Sequence, residues 1–465
     1  MEKNEVVQIE ITDLTEEGHG IGRYEGMAVF VPNAIPGDTA EVKIIKIARN
    51  YAVGRLEKLI APSKDRIQSD CPVFGRCGGC SLRNMTYEAE LQYKQNKVLQ
   101  NLIRLGGFDA DKFIFEPIIS KEQNRYRNKA QFPVCKIGGK VAAGLFSKHS
   151  HNVIPIGDCL LQPEVFSAII AEICAFCDKN GIEPYDETTK KGYLRHIYLR
   201  GTADGGVGVC LVVNGNFFQN SRALVAKLAE KFPQIKSVWL NVNKAGTNVI
   251  LGDETRLLWG APALTDTLCG LEFDISPQSF YQVNREAAQA LYQKAAEYAG
   301  LTGKETVLDL YCGTGTIGLS MAKDAGKIVG VEIVPEAVEN ARRNAEKNHI
   351  TNAEFILADT DTVSGAGVFK VGDGDADEVI AETDLRPDVI ITDPPRKGCG
   401  KATLEAICRF APERIVMVSC DSATLARDLK FLSENGYVLQ KATPIDLFPR
   451  TMHVETVVLI TRVKE

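Results

Sequence analysis

The sequence predicts a multidomain α/β protein in three parts: a small N-terminal β-barrel, a central α+β domain, and a C-terminal open parallel sheet. Three observations predict it. At 465 residues the chain exceeds what one ordinary core buries. Residues 1 to 61 alternate short β-rich runs with glycine turns. Further on, ETVLDLYCGTGTIG passes from a strand (Thr306 to Leu310) through a loop with Gly313, Gly315 and Gly318 into a helix start, the way such a sheet presents its first ligand loop.

Composition narrows the class. No apolar run approaches the length of a membrane span, and MEKNEVVQIEITD lacks the basic start and apolar core of a signal peptide, so a cytoplasmic location is expected. Thirteen cysteines without a signal argue for reduced thiols with metal or catalytic uses rather than a disulfide framework. A net charge of -6 runs against nucleic-acid binding, but much of the acid is gathered in Asp373, Asp375, Asp377, Glu378, Glu382, Asp384 and Asp388. The glycine-rich, acidic stretch 361–386 reads as an insertion with no functional assignment.

In chain order, VVQIEIT, EEGHGIGRYEGMAVFV and DTAEVKIIKIARNYAVGRLEKLI predict five strands closing a small OB-like barrel over 1–61. Lys43, Lys46, Arg49, Arg55 and Lys58 are either phosphate contacts or plain solvated strand faces. The second part, 62–280, opens on CPVFGRCGGCSL, where Cys71, Cys77 and Cys80 stand at C-x5-C-x2-C; Cys159 follows in IGDCLLQP. Four thiolates suit tetrahedral zinc or an iron-sulfur cluster, and spacing leaves both open. Cys174 and Cys177 sit in an apolar helical stretch and read as packed core. TYEAELQYKQNKVLQNLIRLGG predicts one long helix ending at glycine. Arg125, Arg127 and Lys129 in NRYRNKAQF, and Lys190, Lys191, Arg195, His196 and Arg200 in KKGYLRHIYLR, interleave with Tyr126, Tyr193 and Tyr198. They read either as a single-stranded RNA surface or as ordinary exposed strand faces.

The third part, 281–465, begins at YQVNREAAQALYQKAAEYAG, with Asn284 capping a helix that runs to Gly300. Gly313, Gly315 and Gly318 satisfy G-x-G-x-x-G, and Glu332 closes the next strand, KIVGVEIV, where a ribose-binding acid belongs. IVMVSCDSATLARD places Cys420 between a strand and a helix, the exposed position of a nucleophile. Cys399, six residues after Asp393, is the rival. HVETVVLITRV brings Glu455 to a final strand.

Taken together, SFYQVN, DLYCGTG, DPPRKG, VSCDSATLARD and HVET occur in the order found in the RNA uracil-5-methyltransferases, and the chain resembles that family over nearly its whole length. The resemblance implies a Rossmann-like class I domain using S-adenosylmethionine, with Cys420 as nucleophile and Glu455 as base. It also implies that Gln282, Tyr311, Thr316, Glu332, Asp359 and Asp393 line the cofactor pocket. The barrel resembles the TRAM module of RNA-modifying enzymes. Resemblance to the 23S ribosomal RNA members implies a [4Fe-4S] cluster on Cys71, Cys77, Cys80 and Cys159, with zinc the alternative. The expected partner is RNA, 23S ribosomal RNA ahead of transfer RNA; no DNA or membrane partner is expected, and the chain is expected to be a monomer. Asp421 departs from the family's usual asparagine. A nicotinamide oxidoreductase and a non-catalytic iron-sulfur RNA-binding regulator are the competing readings.

Overall fold

The computed structural model describes residues 1–148, 150–360 and 385–463, together with the short paired strands Val368–Lys370 and Val379–Glu382. Asp373, Asp375, Asp377, Glu378 and Asp384 of the acidic stretch lie outside the described residues.

Strands Val6–Leu14, Gly20–Tyr24, Met27–Val31, Thr39–Ile47 and Tyr51–Ala61 close into a barrel. Strict alternation in the first strand buries Val7, Ile9 and Ile11 against Val29, Val42 and Ile44, and closure leaves no unpaired edge. Lys46, Arg49, Arg55 and Lys58 are exposed, whereas Lys43 is half-buried.

The central sheet has seven strands, with Leu194–Gly201 flanked by Lys129–Ile137 on one side and Val207–Val213 on the other. Helices Glu164–Asn180 and Ser221–Lys231 pack on one face, and Cys174 and Cys177 are buried among them. The strand LRHIYLRG overturns both readings of its basic residues. Arg195, His196, Tyr198 and Arg200 are all buried, neither an RNA surface nor an exposed face. Arg195 instead donates to the carbonyls of Asn243 and Ala245 and to Glu187, bracing a loop. A basic strand declares its charge in sequence but not its neighbours, and this one is enclosed on both edges and both faces. Lys190 and Lys191 are exposed on the preceding turn.

The third unit is an eight-stranded sheet. Ala353–Leu357, Lys327–Glu332, Thr306–Leu310, Val389–Thr392 and Arg414–Ser419 run parallel in that spatial order, followed by antiparallel Glu455–Arg462. Tyr437–Ile445 comes next, and Ile114–Phe115 pairs with its outer side. Helix Tyr87–Arg104, capped by Thr86, packs on helix Ser422–Glu434. Residues 87–115 therefore build onto the C-terminal sheet although they precede the central one in sequence. Asn284 caps helix Arg285–Ala299 through the Ala287 amide at 3.3 Å, and Gly300 ends it in the left-handed region.

A buried ion cluster ties these units together. The Lys94 ammonium donates to Glu90 and Asp446 at 2.7 Å each and to the Phe448 carbonyl at 3.2 Å, with all three charged side chains inaccessible to solvent. Arg450 donates its amide to Glu90 at 2.7 Å, and its carbonyl accepts from the Ser81 and Leu82 amides at 2.8 and 3.1 Å. Asn284 donates to the Leu447 carbonyl at 2.9 Å and Tyr126 to that of Pro449 at 3.0 Å. The loop leading into Glu455 is thus held by the cysteine-rich segment, the long helix and the start of the C-terminal unit at once.

Candidate active site

The glycine loop joins strand Thr306–Leu310 to helix Thr316–Met321. Asp309, buried at the strand's end, accepts from the Gly318 amide at 3.0 Å. A side chain at Gly318 would put its Cβ 2.8 Å from that carboxylate, so only glycine allows the approach. The Glu332 carboxylate accepts from the Gly313 amide at 3.0 Å and from the Ile333 and Val334 amides at 2.9 Å, which fixes an acid at the lip of the loop. Tyr311 is held at φ +61°, a conformation costly for a bulky residue, and its hydroxyl meets Thr403 at 3.1 Å. Thr316 begins the helix, and its hydroxyl lies 3.1 Å from that of Tyr292. The Gln282 carbonyl accepts from Asn128 of the central unit at 2.8 Å. Asp359 is half-buried just beyond the Ala353–Leu357 strand end.

Cys420 is half-buried in the turn after Arg414–Ser419. Ser419 pairs with Thr456 in the antiparallel ladder, so the register continued by one residue sets Cys420 across from Glu455. Asp421 accepts from the Ala423 and Thr424 amides at 2.9 Å, capping helix Ser422–Glu434. An acid at this helix start serves the cap as asparagine would, and complements the helix dipole besides. Cys399, by contrast, is buried in the hydrophobic core, with its amide donating to Asp428 at 2.8 Å.

The electrostatics of the site are those of crowded acid. Burial pushes the Glu455 carboxyl up to about 8, with Asp393 adding to the rise and Arg396 opposing it. Burial raises Asp393 to about 7, and does the same to Asp309 with help from Asp393 and Glu332. The Cys420 thiol is pushed up to about 11 by burial, then by Glu455 and Asp393. One Asp309 oxygen, Oδ1, is buried with no hydrogen-bond partner among the described residues. Such a site favours a cation, which would relieve the repulsion and restore the carboxylates. The sign for stability follows. These carboxyls hold protons in the folded chain at pH values where the unfolded chain has lost them, so their contribution is fullest below pH 4 and is lost as pH rises through 7 to 8. Calorimetry is expected to show Tm falling by several degrees from pH 6 to pH 9, and a cationic ligand is expected to offset that fall.

Cys71, Cys77, Cys80 and Cys159 line one cavity of about 220 Å³ with Arg83, Arg127 and Lys129. Cys71, Cys77 and Cys80 stand on one loop, and Cys159 joins them from across the central unit. The Cys80 thiol is pushed up to about 12 by burial, opposed by Arg83. The Gly79 amide donates to the Cys77 sulfur at 3.3 Å. Among the described residues, no group of three or more His, Cys, Asp or Glu side chains is placed to hold a single metal ion.

Some participants carried no sequence signal. Asn101 donates to Ser422 at 2.8 Å, steadying the Cys420 turn from 321 positions away. Tyr292 is an interior position of an ordinary amphipathic helix. Arg396 was legible as part of DPPR but not as the cation that faces both Cys420 and Glu455.

A glycine-looped parallel sheet closed by an antiparallel strand, with a thiol and a carboxyl paired at its rim, defines a methyltransferase domain behind a nucleic-acid-binding type of barrel. Residues 86–463 match the tRNA (uracil-5-)-methyltransferase family and residues 2–56 the TRAM domain. The chain belongs to that RNA uracil-5-methyltransferase family. An uncharacterized RNA methyltransferase of Bacillus cereus is 43% identical over 100% of this chain and 98% of its own. One from Clostridium tetani is 42% identical over 99% and 97%. The crystal structure of Pyrococcus abyssi tRNA (uracil-54, C5)-methyltransferase with S-adenosyl-L-homocysteine superposes with a TM-score of 0.77, covering 98% of this chain and 100% of that one at 26% identity. No helix among the described residues is long and apolar enough to cross a membrane.

Proposed function

We propose that the enzyme methylates C5 of a uridine in RNA, with S-adenosylmethionine as donor, Cys420 as nucleophile and Glu455 as base. The observation that carries this is the placement of a reachable thiol across the ladder from a buried carboxyl, both beside Asp393. The donor supplies a methyl group activated by positive sulfur. An acid-lined pocket with an unpartnered Asp309 oxygen fits such a cation, and Gln282, Tyr311, Thr316, Glu332, Asp359 and Asp393 would hold it. C5 of uracil is a weak nucleophile until its double bond is opened. The Cys420 thiolate adds to C6, which sends the electron pair to C5 and O4. C5 then takes the methyl group. Glu455 removes the C5 proton, and the returning pair expels the thiolate. Arg396 favours both ionised forms, and the base must leave its stack to reach the thiol.

Four thiols lining one cavity, Cys77 buried and the other three half-buried, suit a [4Fe-4S] cluster, with one zinc ion the alternative. Cys71, Cys77, Cys80 and Cys159 would hold it, and an amide already donates to one of their sulfurs. The barrel and cysteine set favour 23S ribosomal RNA; likeness to the Pyrococcus abyssi transfer RNA enzyme supports transfer RNA as a second reading. Anaerobically purified protein, given labelled S-adenosylmethionine and total RNA from cells lacking the gene, is expected to form 5-methyluridine in 23S RNA. Label confined to transfer RNA would select the second reading, and no label in uridine would end both. Stoichiometric iron and sulfide are expected in the same preparation; zinc alone would remove the cluster.

A further inference from the structure

The ladder between strands Tyr437–Ile445 and Glu455–Arg462 ends where Ile445 pairs with Glu455, so the turn 446–454 decides how the first residue of the last strand is presented. Two adjacent carbonyls of that turn are held from outside. The Arg450 carbonyl accepts from the Ser81 and Leu82 amides at 2.8 and 3.1 Å, and the Arg450 guanidinium donates to the Met85 carbonyl at 3.0 Å. The Pro449 carbonyl accepts from the Tyr126 hydroxyl at 3.0 Å. Each arm begins at a cysteine. Ser81 and Leu82 lie between Cys80 and Arg83, both of which line the four-thiol cavity. Tyr126 sits between Arg125, which donates to the Cys159 carbonyl at 3.0 Å, and Arg127, which lines the cavity too and whose amide donates to the Leu161 carbonyl at 2.8 Å.

Backbone strain marks both ends of this contact. Arg450 is held at φ +68° and Arg125 at φ +57°, left-handed conformations that a residue with a side chain keeps only where its surroundings over-determine them. Met452, between Arg450 and Glu455, packs in one cluster with Leu82 and Met85, so the Cys80 arm meets the turn through side chains as well. Resting on the reading of Glu455 as the base that removes the C5 proton, we infer that the four-thiol site is a clamp for that base. A group bridging Cys80 and Cys159 fixes the spacing of the two arms, and Tyr126 and Arg450 pass that spacing to the turn that presents Glu455. Both are positioning residues, acting through Glu455 and not on the ring. Cys420 is steadied by a different contact, Asn101 on Ser422, so the clamp bears on proton removal and leaves thiol addition alone. Zinc and an iron-sulfur cluster would serve it alike, since it needs a bridge and not an electron.

The test compares full-length metal-loaded wild type, Tyr126→Phe, and wild type stripped of metal by an anaerobic chelator. The substrates are methyl-labelled S-adenosylmethionine and total RNA, tritiated at uridine C5, from cells lacking the gene. Slower proton removal leaves the methylated ring bonded to Cys420. Tyr126→Phe is therefore expected to accumulate a methyl-labelled protein–RNA adduct and to release tritium about 10–100-fold more slowly, with metal content and S-adenosylmethionine affinity at wild-type values. Metal removal is expected to give the same adduct and, independently of activity, faster hydrogen exchange at the amides of 450–455. Should stripping unfold the chain, Tyr126→Phe decides alone. A wild-type rate of tritium release in Tyr126→Phe overturns the inference, as does unchanged exchange at 450–455 in folded, stripped protein. Slower turnover without adduct also overturns it, because a contact that only adds stability would act on every step equally. Failure of the underlying reaction looks different: wild type itself would then release no tritium and place no methyl on uridine.

Discussion

Replacing Cys420 with alanine is expected to abolish methyl transfer, by at least about 10⁴-fold, while leaving S-adenosylmethionine binding intact. The loss should be so large because C5 has no other route to becoming a nucleophile. In the proposed reaction the thiol bonds the ring and not the donor, so donor affinity should not move. RNA carrying 5-fluorouridine sharpens the test, since fluorine at C5 cannot leave as a proton and the Cys–C6 bond persists. Wild type and Cys399→Ala are expected to form a covalent complex that survives denaturing gels, and Cys420→Ala to form none. A complex that persisted in Cys420→Ala would move the nucleophile elsewhere. Cys399 is the rival by sequence, but it is buried in the core beneath helix Lys401–Phe410, out of reach of a nucleobase.

The second large effect is expected far from any substrate. Lys94→Met removes the ammonium that Glu90 and Asp446 share, and leaves two carboxyls buried together with no neutralising lysine. Glu90 is already raised by burial and by Asp446, with Lys94 foremost among the groups that oppose the rise. Breaking such a cluster destabilises by about 3–5 kcal/mol, measurable by denaturant unfolding. Removing one acid as well, in Lys94→Met with Glu90→Gln, is expected to recover part of the loss. Methylation should fall along with stability in the single variant, because the loop pinned by this cluster runs directly into Glu455. Full stability in Lys94→Met would show that the three charges are not coupled as their geometry requires.

Much of the architecture was legible because it rests on local rules. Alternation in VVQIEIT and glycine turns announced the barrel, and helix Arg285–Ala299 obeyed its asparagine cap and glycine stop. Strand–loop–helix grammar placed Glu332 and Cys420 at strand ends without any coordinates. The basic strand around Arg195 and Arg200 was misread for the converse reason. Whether a cation is solvated depends on what covers it, and its covers come from residues near 130, 210, 245 and 279. The ion cluster on Lys94 was equally silent, since its partner Asp446 lies 352 positions away.

Sequence by itself set the order of the candidate groups, the glycine loop, the acids, the thiol and the final carboxyl: short-range periodicity and turn residues placed them on strands and loops, and resemblance to the family suggested their roles. Only the tertiary structure decided their company. The ladder register that sets Cys420 opposite Glu455, the crowding that raises their proton affinities, and the long helix that reaches back to steady both arise from contacts between residues tens to hundreds of positions apart. Burial and charge interaction depend on distance in space, and the chain fixes that distance only once it has folded.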